Sequence, residues 1–423
     1  MNATVPVSVT ATPQSAAYGQ PVVFTVTISL TIPSGFSAPT GQVDLLEGGV
    51  VMGSARLNAG TASVTLNNLA VGMHTITVLY RGDGTWPASF STVTVTVAPA
   101  DTGTVLSVAF APSGQVQLKA VVTAIPPAIG TPSGSVQFIN TVDNSVAAIA
   151  VLAGGSATAV VPPGTAERAL AAIYSGDSTF KSSTSAPLPV MTSAAGVTGS
   201  SFAPDEVVSV YNVSGITGNT PATLPLTTSL GGVTATITDS TGATHAALLC
   251  GVFGSAGQIN LVIPGNTAAG LALLTMILPG GGTSNAIITV ANTAPGVFTA
   301  SMDGRGVYAG QVVHVHPDGS QTTTNSAAFD ASQNAFAPVP ISMGPAGDQV
   351  FLVLYGTGFR HAGTVTATVD GVSVTAAFAA QSQYPGLDQL NLQLPASLNG
   401  GGLVKIAVTV DGQPANIVSV AIQ

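Results

Sequence analysis

Charged side chains are scarce in this sequence of 423 residues, because Asp, Glu, Lys and Arg together make up 6% of it. Soluble domains usually contain about 25% of these residues. Lysine and arginine number only eight, they are scattered singly, and the formal net charge is −9. A nucleic-acid-binding surface needs a concentrated basic face. The sequence therefore predicts no nucleic-acid partner.

Cysteine and long apolar runs are equally rare. The single cysteine, Cys250, excludes an internal disulfide framework. No stretch approaches the about 18–20 apolar residues of a membrane-spanning helix, so we predict no membrane span. Little charge and many hydroxyl side chains favour an exported protein, extracellular or at the cell surface. The first residues do not resemble a signal peptide, so we expect a removed signal or a longer parent chain.

The abundant residues are those of strands and turns. The chain contains 49 glycines and 28 prolines, with Val and Thr supplying much of what lies between them. β-Branched residues favour strands, and Gly and Pro favour turns. We therefore predict an all-β protein. At about 100–150 residues per domain, the length suggests three or four domains. The linkers at 99–102 and 191–195 are short, so we predict an elongated array of β-sandwiches.

Residues 1–99 and 100–192 are predicted to form two related sandwiches. In the first, apolar and polar residues alternate over segments such as 22–28, 62–66 and 92–97, with turn residues between them. This period of two is typical of strands with one buried face, and the spacing of the turns is typical of a sandwich.

Two motifs recur in both units. They are a strand entry, PTGQV at 39–43 and PSGSV at 132–136, and a turn, YRGDGTW at 80–86 and YSGDSTF at 174–180. These motifs resemble those of the bacterial immunoglobulin-like repeats of large surface proteins, over about residues 5–190. The resemblance implies Ig-like β-sandwiches in tandem.

The turn motif is predicted to be structural. Asp83 and Asp177 can accept hydrogen bonds from nearby backbone amides, and Tyr80 and Tyr174 can bury a ring while the hydroxyl finds a polar partner. A calcium ion would need about six to eight oxygen ligands. Each turn offers one carboxylate, so we predict no bound cofactor here.

A second duplication lies in the remaining residues. The pattern QINLVIP at 258–264 returns as QLNLQLP at 389–395, with apolar residues at every second position. That period again indicates strands with one buried face. We therefore predict two more sandwiches, at 193–297 and 341–423, joined by an irregular connector at 298–340.

Further motifs follow one another in a characteristic order through this region. They are SFAP at 201–204, GQINLVIP at 257–264, APGVF at 294–298, LYGTG at 354–358 and LNLQLP at 390–395. The series resembles the Solibacter-type C-terminal domain of exported acidobacterial proteins, over about residues 195–423. The resemblance implies a position at the C-terminal end of a secreted or surface protein. It implies no activity, because that family is uncharacterised.

Catalytic residues are not predicted, because most acids stand in turns and the chain has no G-x-S-x-G elbow. His314 and His316 would share one face of a strand. They are the candidates for a zinc or copper site, with Asp318 or Asp303 as further ligands. Two ligands at a fixed spacing do not specify a metal site. We interpret the histidines as a polar strand face and predict neither enzyme activity nor a cofactor.

The candidate ligand-binding residues are Gln389, Asn391, Tyr355 and Tyr384. The two amides belong to a polar stripe that could hydrogen-bond sugar hydroxyls, and the two tyrosines are the nearest aromatic platforms in the sequence. Aromatic residues make up only 5% of the chain, so a solvated strand face is the alternative interpretation.

The sequence thus favours a non-enzymatic extracellular surface protein, serving as a stalk, an adhesin or a matrix component. Its partner would be a glycan or a protein at a cell surface. One alternative is the carbohydrate-binding accessory region of a larger secreted protein. Another is self-association into fibres, with the terminal strands at 5–12 and 416–423 exchanged between copies.

Overall fold

The strands form four successive β-sandwiches in a computed structural model of the chain, each around its own hydrophobic core. The structure describes residues 5–111, 115–166, 168–196, 201–381 and 383–423. Helix in these residues is limited to α1 (Pro163–Ala166) and to 3-10 turns at Gly254–Ala256 and Ala396–Leu398. The all-β prediction is confirmed.

The first sandwich follows the alternation of its sequence. Its strands are β1 (Val7–Thr12), β2 (Ser15–Ala17), β3 (Val22–Ile28), β4 (Gln42–Glu47), β5 (Val50–Arg56), β6 (Thr61–Leu66), β7 (Gly72–Tyr80) and β8 (Ser89–Ala98). One sheet has the order β1-β3-β6 and the other β2-β8-β7-β4-β5. In β3, Val22, Phe24 and Val26 are buried between the sheets, whereas the residues between them face outward.

The second sandwich repeats this plan. Its strands are β9 (Thr102–Phe110), β10 (Val116–Ala124), β11 (Ser135–Asn140), β12 (Val146–Val151), β13 (Ser156–Val161), β14 (Leu170–Tyr174) and β15 (Ser183–Thr184). The sheet orders β13-β10-β9 and β12-β11-β14-β15 correspond strand for strand to β6-β3-β1 and β5-β4-β7-β8. The similarity of the two units therefore extends from their motifs to their strand pairing.

The third sandwich begins directly after the second. Its strands are β16 (Val190–Ser193), β17 (Val207–Tyr211), β18 (Asn219–Pro221), β19 (Ser229–Leu230), β20 (Val233–Thr238), β21 (Thr244–Ala246), β22 (Leu248–Phe253), β23 (Gln258–Val262), β24 (Gly270–Ile277) and β25 (Thr283–Val290). The sheets are β16-β17-β23-β22-β18 and β19-β20-β24-β25, with β21 beside β20. Because β16 pairs with β17, this sandwich starts within the range expected for the second one.

The fourth sandwich is built from one long sheet that folds over itself. Its strands are β26 (Gly296–Val297), β27 (Gly310–Val315), β28 (Gln321–Asn325), β29 (Ala327–Asp330), β30 (Ala335–Pro338), β31 (Gln349–Thr357), β32 (Val365–Val369), β33 (Val372–Ala380), β34 (Asp388–Leu394), β35 (Gly402–Val410), β36 (Gln413–Pro414) and β37 (Val418–Ile422). The order is β28-β27-β31-β34-β33-β32-β35-β36, with β26 beside β31 and β37 beside β35. β29 and β30 form a separate hairpin.

The segment 298–340 differs from the irregular connector that was expected there. β27 pairs with β31 of the fourth sandwich, and β28 pairs with β27. Tyr308 and Val312 are buried in the core of that sandwich. The sequence of β28, QTTTN, contains no apolar residue. Backbone pairing rather than burial holds this strand, and such pairing leaves no periodic signal in a sequence.

The first two sandwiches meet at Tyr18, whose side chain packs against both of their cores. Its ring contacts Phe180 edge to face, with the ring centroids 6.0 Å apart. The next residue, Gly19, has a φ of 84°, and a Cβ there would lie 2.8 Å from the Ala128 Cα. Glycine is therefore needed for this close approach, and the junction is packed.

The second and third sandwiches share part of a core. Ile287 of β25 is 2% exposed and packs in the core of the second sandwich, together with Leu271 and Leu273 of β24. Burial of one such isoleucine contributes about 1.5–3 kcal/mol. Parts of β24 and β25 are therefore covered on one face by their own core and on the other by the preceding sandwich.

The total accessible surface is 19587 Å². A single compact body of this mass would expose about 15,000 Å². The excess is what a row of small domains produces, because each keeps most of its own surface. This agrees with an elongated array.

Candidate functional site

A groove lies on the outer face of the fourth sandwich. β27, β31, β34 and β33 run side by side there. Leu352 and Leu392 point inward and are fully buried. Successive side chains of a strand point to opposite faces, so Phe351, Val353 and Asn391 point outward. The register places Val353 directly opposite Asn391, so apolar and amide side chains are neighbours on this face.

The floor of the groove is apolar. Val313, Phe351 and Val353 line it, and Val353 is only 8% exposed although it belongs to the outer face. The volume is about 440 Å³, within the range of about 300–1,000 Å³ that is typical of ligand sites. All the residues that line the groove are uncharged. It is therefore a neutral, partly apolar concavity.

The amide side chains along the groove are ordered by one another. Gln381 Nε2 donates a hydrogen bond of 2.6 Å to Gln389 Oε1, and Gln389 Nε2 donates one of 2.8 Å to Asn391 Oδ1. Both amides of the sequence-predicted stripe thus lie on the same face, since residues two apart on a strand share a face. Their mutual bonds fix which atoms point into the groove.

The third sandwich has the same pair of amides on a more polar surface. Gln258 Nε2 donates to Asn260 Oδ1 at 2.7 Å, matching the bond in the fourth sandwich. Opposite Asn260 stands Ser209, whose hydroxyl accepts a 3.4 Å hydrogen bond from Gln258. Val353 occupies the corresponding place opposite Asn391. The duplication therefore preserved the amide pair and changed the floor beside it.

The two candidate tyrosines lie apart from each other. Tyr355 stands opposite Gln389 and lines a second cavity of about 410 Å³, where it meets Phe298. Tyr384 is 48% exposed in the turn before β34 and lines neither cavity. The aromatic residue of the groove is Phe351, which sequence reasoning missed. Its outward position follows from the alternation of β31.

The two candidate metal ligands do not form a ligand set. His316 Nδ1 lies 3.0 Å from Asp348 Oδ2. His314 lies within β27. Asp318 accepts hydrogen bonds from Ser320 in its own turn. Within the described ranges, no three His, Cys, Asp or Glu side chains are grouped so that they could hold a metal ion.

A network of polar and charged groups lies at the junction of the third and fourth sandwiches, and its ion pair within the fourth sandwich is largely buried. Asp388 is fully buried, with Oδ1 3.1 Å from Arg360 Nε and Oδ2 accepting a 2.9 Å hydrogen bond from the Phe359 N–H. Burial raises the pKa of Asp388, although the Phe359 N–H and the Arg360 charge act in the opposite direction. Across the junction, His361 Nε2 lies 2.9 Å from Asp205 Oδ2.

Glu206 lies beside this network and is 0% exposed. Its Oε2 accepts a 2.7 Å hydrogen bond from the Ala203 N–H. Burial, with a smaller contribution from the nearby Asp388 charge, raises the pKa of Glu206 to about 8 against the opposing hydrogen bonds of Ala203 and Ser193. Glu206 is therefore largely protonated at neutral pH. Sequence reasoning missed these groups. The adjacent acids Asp205 and Glu206 and the adjacent bases Arg360 and His361 were a usable signal, because charged residues are so rare in this chain.

The aspartate of the first turn motif ties that turn to the strand-entry motif. Asp83 Oδ1 accepts hydrogen bonds from the N–H groups of Thr85 and Trp86. Its Oδ2 accepts hydrogen bonds from the N–H and the hydroxyl of Thr40, at 2.8 and 3.0 Å. The two motifs recur together because one carboxylate joins them.

The second turn has the same bonds. Asp177 Oδ1 accepts from the N–H groups of Thr179 and Phe180, and Oδ2 accepts from the N–H and the hydroxyl of Ser133. Partial burial opposes ionisation, but these bonds prevail and lower the pKa of Asp177 to about 2. The carboxylate form is therefore an integral part of the turn.

The tyrosines of the turn motif are fully buried, but their hydroxyls differ from expectation. Tyr80 and Tyr174 are both 0% exposed, and neither hydroxyl has a hydrogen-bond partner among the residues that the structure describes. Burial, reinforced by the nearby Asp83 charge, raises the pKa of Tyr80 to about 12. The ring rather than the hydroxyl contributes to the core.

The comparison with known families agrees with these shared features. Residues 9–98 and 103–193 each match the family described as bacterial Ig-like domain (group 3). Both segments therefore resemble bacterial Ig-like domains, and they are called the two Ig-like domains below. The match ends at residue 193, so the resemblance of residues 195–423 to the Solibacter-type C-terminal domain stays a prediction. No curated protein matches the chain.

Several solved structures are similar to the chain at low identity. A tetra-tandem repeat from the extending region of a large adhesion protein is 13% identical, with a TM-score of 0.25, covering 83% of this chain and 94% of its own. The Bacteroides ovatus mixed-linkage glucan utilization locus protein SGBP-B, in complex with a heptasaccharide, is 10% identical, with a TM-score of 0.23, covering 97% and 65%. The human OSCAR ligand-binding domain is 14% identical, with a TM-score of 0.20, covering 44% and 99%.

No helix within the described residues combines the length and the apolar character that crossing a bilayer requires.

Replacing Asp177 with alanine is expected to destabilise the second Ig-like domain by about 2–4 kcal/mol, because four accepted hydrogen bonds are lost. Since the folded pKa of Asp177 is about 2 and its usual value is 3.8, this contribution is present above pH 3.8 and is lost as the pH falls towards 2. Hydrogen exchange of the β14 amides measures it.

The control for this variant is Asp143→Ala, which removes an exposed carboxylate whose only hydrogen bonds within the described residues come from Ser145. We expect a much smaller change there. Equal loss of protection in the two variants would contradict the role given to Asp177.

Proposed function

We propose that the chain is a non-enzymatic part of an extracellular bacterial surface protein, in which the row of sandwiches serves as a stalk or adhesin. The two bacterial Ig-like domains support this proposal, since domains repeated in tandem lengthen the reach of a chain. The observation that carries it is the packing at each junction. A spacer must hold its far end at a distance, and that requires domains that do not bend freely about their linkers.

The three junctions meet this requirement in different ways. Tyr18 packs in both cores at the first junction. Ile287 enters the core of the preceding sandwich at the second. At the third, the Val207 N–H donates a 2.8 Å hydrogen bond to Thr357 Oγ1, which donates one of 2.7 Å to the Gly386 carbonyl. Apolar contact, a shared core and buried polar bonds thus restrict bending along the whole row.

The partner of such a protein would be a glycan or a protein at a cell surface. Nucleic acid is disfavoured by the net charge of −9 and by the scatter of the eight cationic side chains. The alternative of a carbohydrate-binding accessory region is favoured by the groove of the fourth sandwich. In that alternative the same sandwiches would belong to a larger secreted protein instead of a surface adhesin.

Fibre formation by exchange of terminal strands has less support. β1 pairs with β3 along its whole length, and β37 pairs with β35. Both terminal strands therefore complete the sandwiches to which they belong, and neither leaves a vacant position for a strand from another copy.

The test of the proposed location is antibody labelling of intact cells of the producing bacterium, with an antibody against the fourth sandwich. Labelling of intact cells is expected. Labelling that requires permeabilised cells would refute a surface location.

The stalk predicts that Ile287→Asp will loosen the row, because the variant places a charge in the core of the second Ig-like domain. Small-angle scattering should show a broader distribution of shapes than for the unmodified protein. The control is Val151→Asp, at a position that is 75% exposed on the second domain. Identical scattering from both variants would contradict the role of this junction.

A further inference from the structure

We infer that the groove of the fourth sandwich binds a short segment of a neutral glycan. This inference rests on the proposed function of a surface adhesin and names the class of ligand. It concerns the outer face formed by β27, β31, β34 and β33, which the other sandwiches leave uncovered at Phe351 and Gln393.

The absence of charge from the groove selects a neutral ligand. All the residues that line it are uncharged. An ionic ligand would lose its water of hydration there without gaining a partner of opposite charge, which is unfavourable. A neutral glycan brings hydroxyl groups and apolar ring faces, and both kinds of group have counterparts in the groove.

The polar counterparts are amide groups that are already oriented. Asn391 Oδ1 accepts from Gln389, which leaves the Asn391 NH₂ group as a donor towards the groove. The Gln393 amide has no partner in the described part of the chain, so its oxygen and nitrogen can serve together as acceptor and donor. A sugar hydroxyl both donates and accepts, so these amides suit it. Orientation before binding lowers the entropy cost of association.

The apolar counterparts are Phe351 and the valines beside it. In register, Val313, Phe351 and Gln393 form one row across three neighbouring strands, and Val353 and Asn391 lie in the next row. An aromatic ring with an adjacent amide offers a sugar both a stacking surface for its C–H groups and a partner for its hydroxyls.

An extended peptide fits this groove less well. Peptides that bind to sheets pair their backbone with an unpaired strand edge. β31 is paired on both sides, with β27 and with β34, and β34 is paired with β31 and β33. The groove therefore offers side chains only, and the main-chain bonds on which such peptides depend are already made within the sheet.

The experiment is affinity electrophoresis of the full chain against soluble neutral polysaccharides, namely a mixed-linkage β-glucan, a galactomannan, an arabinoxylan and dextran. Alginate and an uncharged peptide serve as probes of other classes. We expect retardation by at least one neutral polysaccharide. Phe351→Ala and Gln393→Ala should each weaken that association at least tenfold, because they remove the stacking ring and an amide partner of the sugar. Both side chains are partly exposed and neither belongs to the core, so the variants should still fold.

The matched control is Asn260→Ala, which alters the corresponding amide pair of the third sandwich and should leave binding unchanged. Val353→Ser, which copies the floor of that sandwich, should weaken binding. Failure of all four neutral polysaccharides to retard the chain would overturn the inference, as would stronger binding of alginate or peptide. So would retention of full binding by Phe351→Ala and Gln393→Ala. Labelling of intact cells is independent of these results, so the glycan site can fail while the surface location stands.

Discussion

Replacing Arg360 with methionine is expected to lower the free energy of unfolding of the fourth sandwich by about 3–5 kcal/mol. Methionine keeps an apolar stem in place but leaves the Asp388 carboxylate, whose side chain is 0% exposed, without its cation. An uncompensated buried charge is strongly destabilising. Hydrogen exchange of the β34 backbone amides, which begin at Asp388, is the measurement.

Two further variants make this prediction specific. Arg305→Met removes an arginine from an exposed turn, so it should change stability little. Arg360→Met combined with Asp388→Leu removes both charges and should recover most of the loss, because apolar replacement of a whole buried pair is often neutral. If Arg360→Met and Arg305→Met had equal effects, the buried pair would not be the cause.

Replacing Glu206 with glutamine is expected to reduce a loss of stability that the unmodified chain shows with rising pH. Burial raises the folded pKa of Glu206 from 4.5 to about 8. Between these two values the folded state binds more protons than the unfolded state, so stability is full below pH 4.5 and falls as the pH rises through 8. The fall amounts to about 5 kcal/mol at most, since the two pKa values are about 3.5 units apart and one unit corresponds to about 1.4 kcal/mol.

Denaturant unfolding of the third and fourth sandwiches at a series of pH values tests this prediction. Glutamine resembles the protonated carboxyl group in shape but cannot ionise, so the variant should be the more stable protein at alkaline pH. Asp370→Asn, at an exposed turn of the fourth sandwich, is the matched control and should retain the alkaline fall. An unmodified chain whose stability stays level between about pH 5 and pH 9 would refute the assignment to Glu206.

Alternation in the sequence predicted strands best where one face of the strand is buried. β3 was predicted at 22–28 and has those bounds, because its inward side chains are all large and apolar. β28 went unpredicted because all five of its residues are exposed. What places it is its pairing with β27, and the pairing register is a property of two strands together rather than of either sequence alone.

The candidate site was predictable in part for the same reason. The Q-x-N pattern placed Gln389 and Asn391 on one face because that relation is local to a strand. The groove needs Phe351 and Val353 as well, and these come from β31, whose position beside β34 is set by the tertiary fold. The pair of Asp205 with His361 spans 156 residues of sequence, and no local pattern announces it.

The insertion of Ile287 into the core of the second Ig-like domain has a consequence for how the molecule can change in length. Deleting or exchanging that domain would expose Ile287, Leu271 and Leu273 to water, so the second Ig-like domain and the third sandwich should unfold together and be inherited together. Among the described residues of the first Ig-like domain, only Tyr18 packs against its neighbour's core. Gains and losses of Ig-like domains in the course of evolution are therefore expected next to the first Ig-like domain. They would lengthen or shorten the array while leaving the C-terminal pair of sandwiches intact.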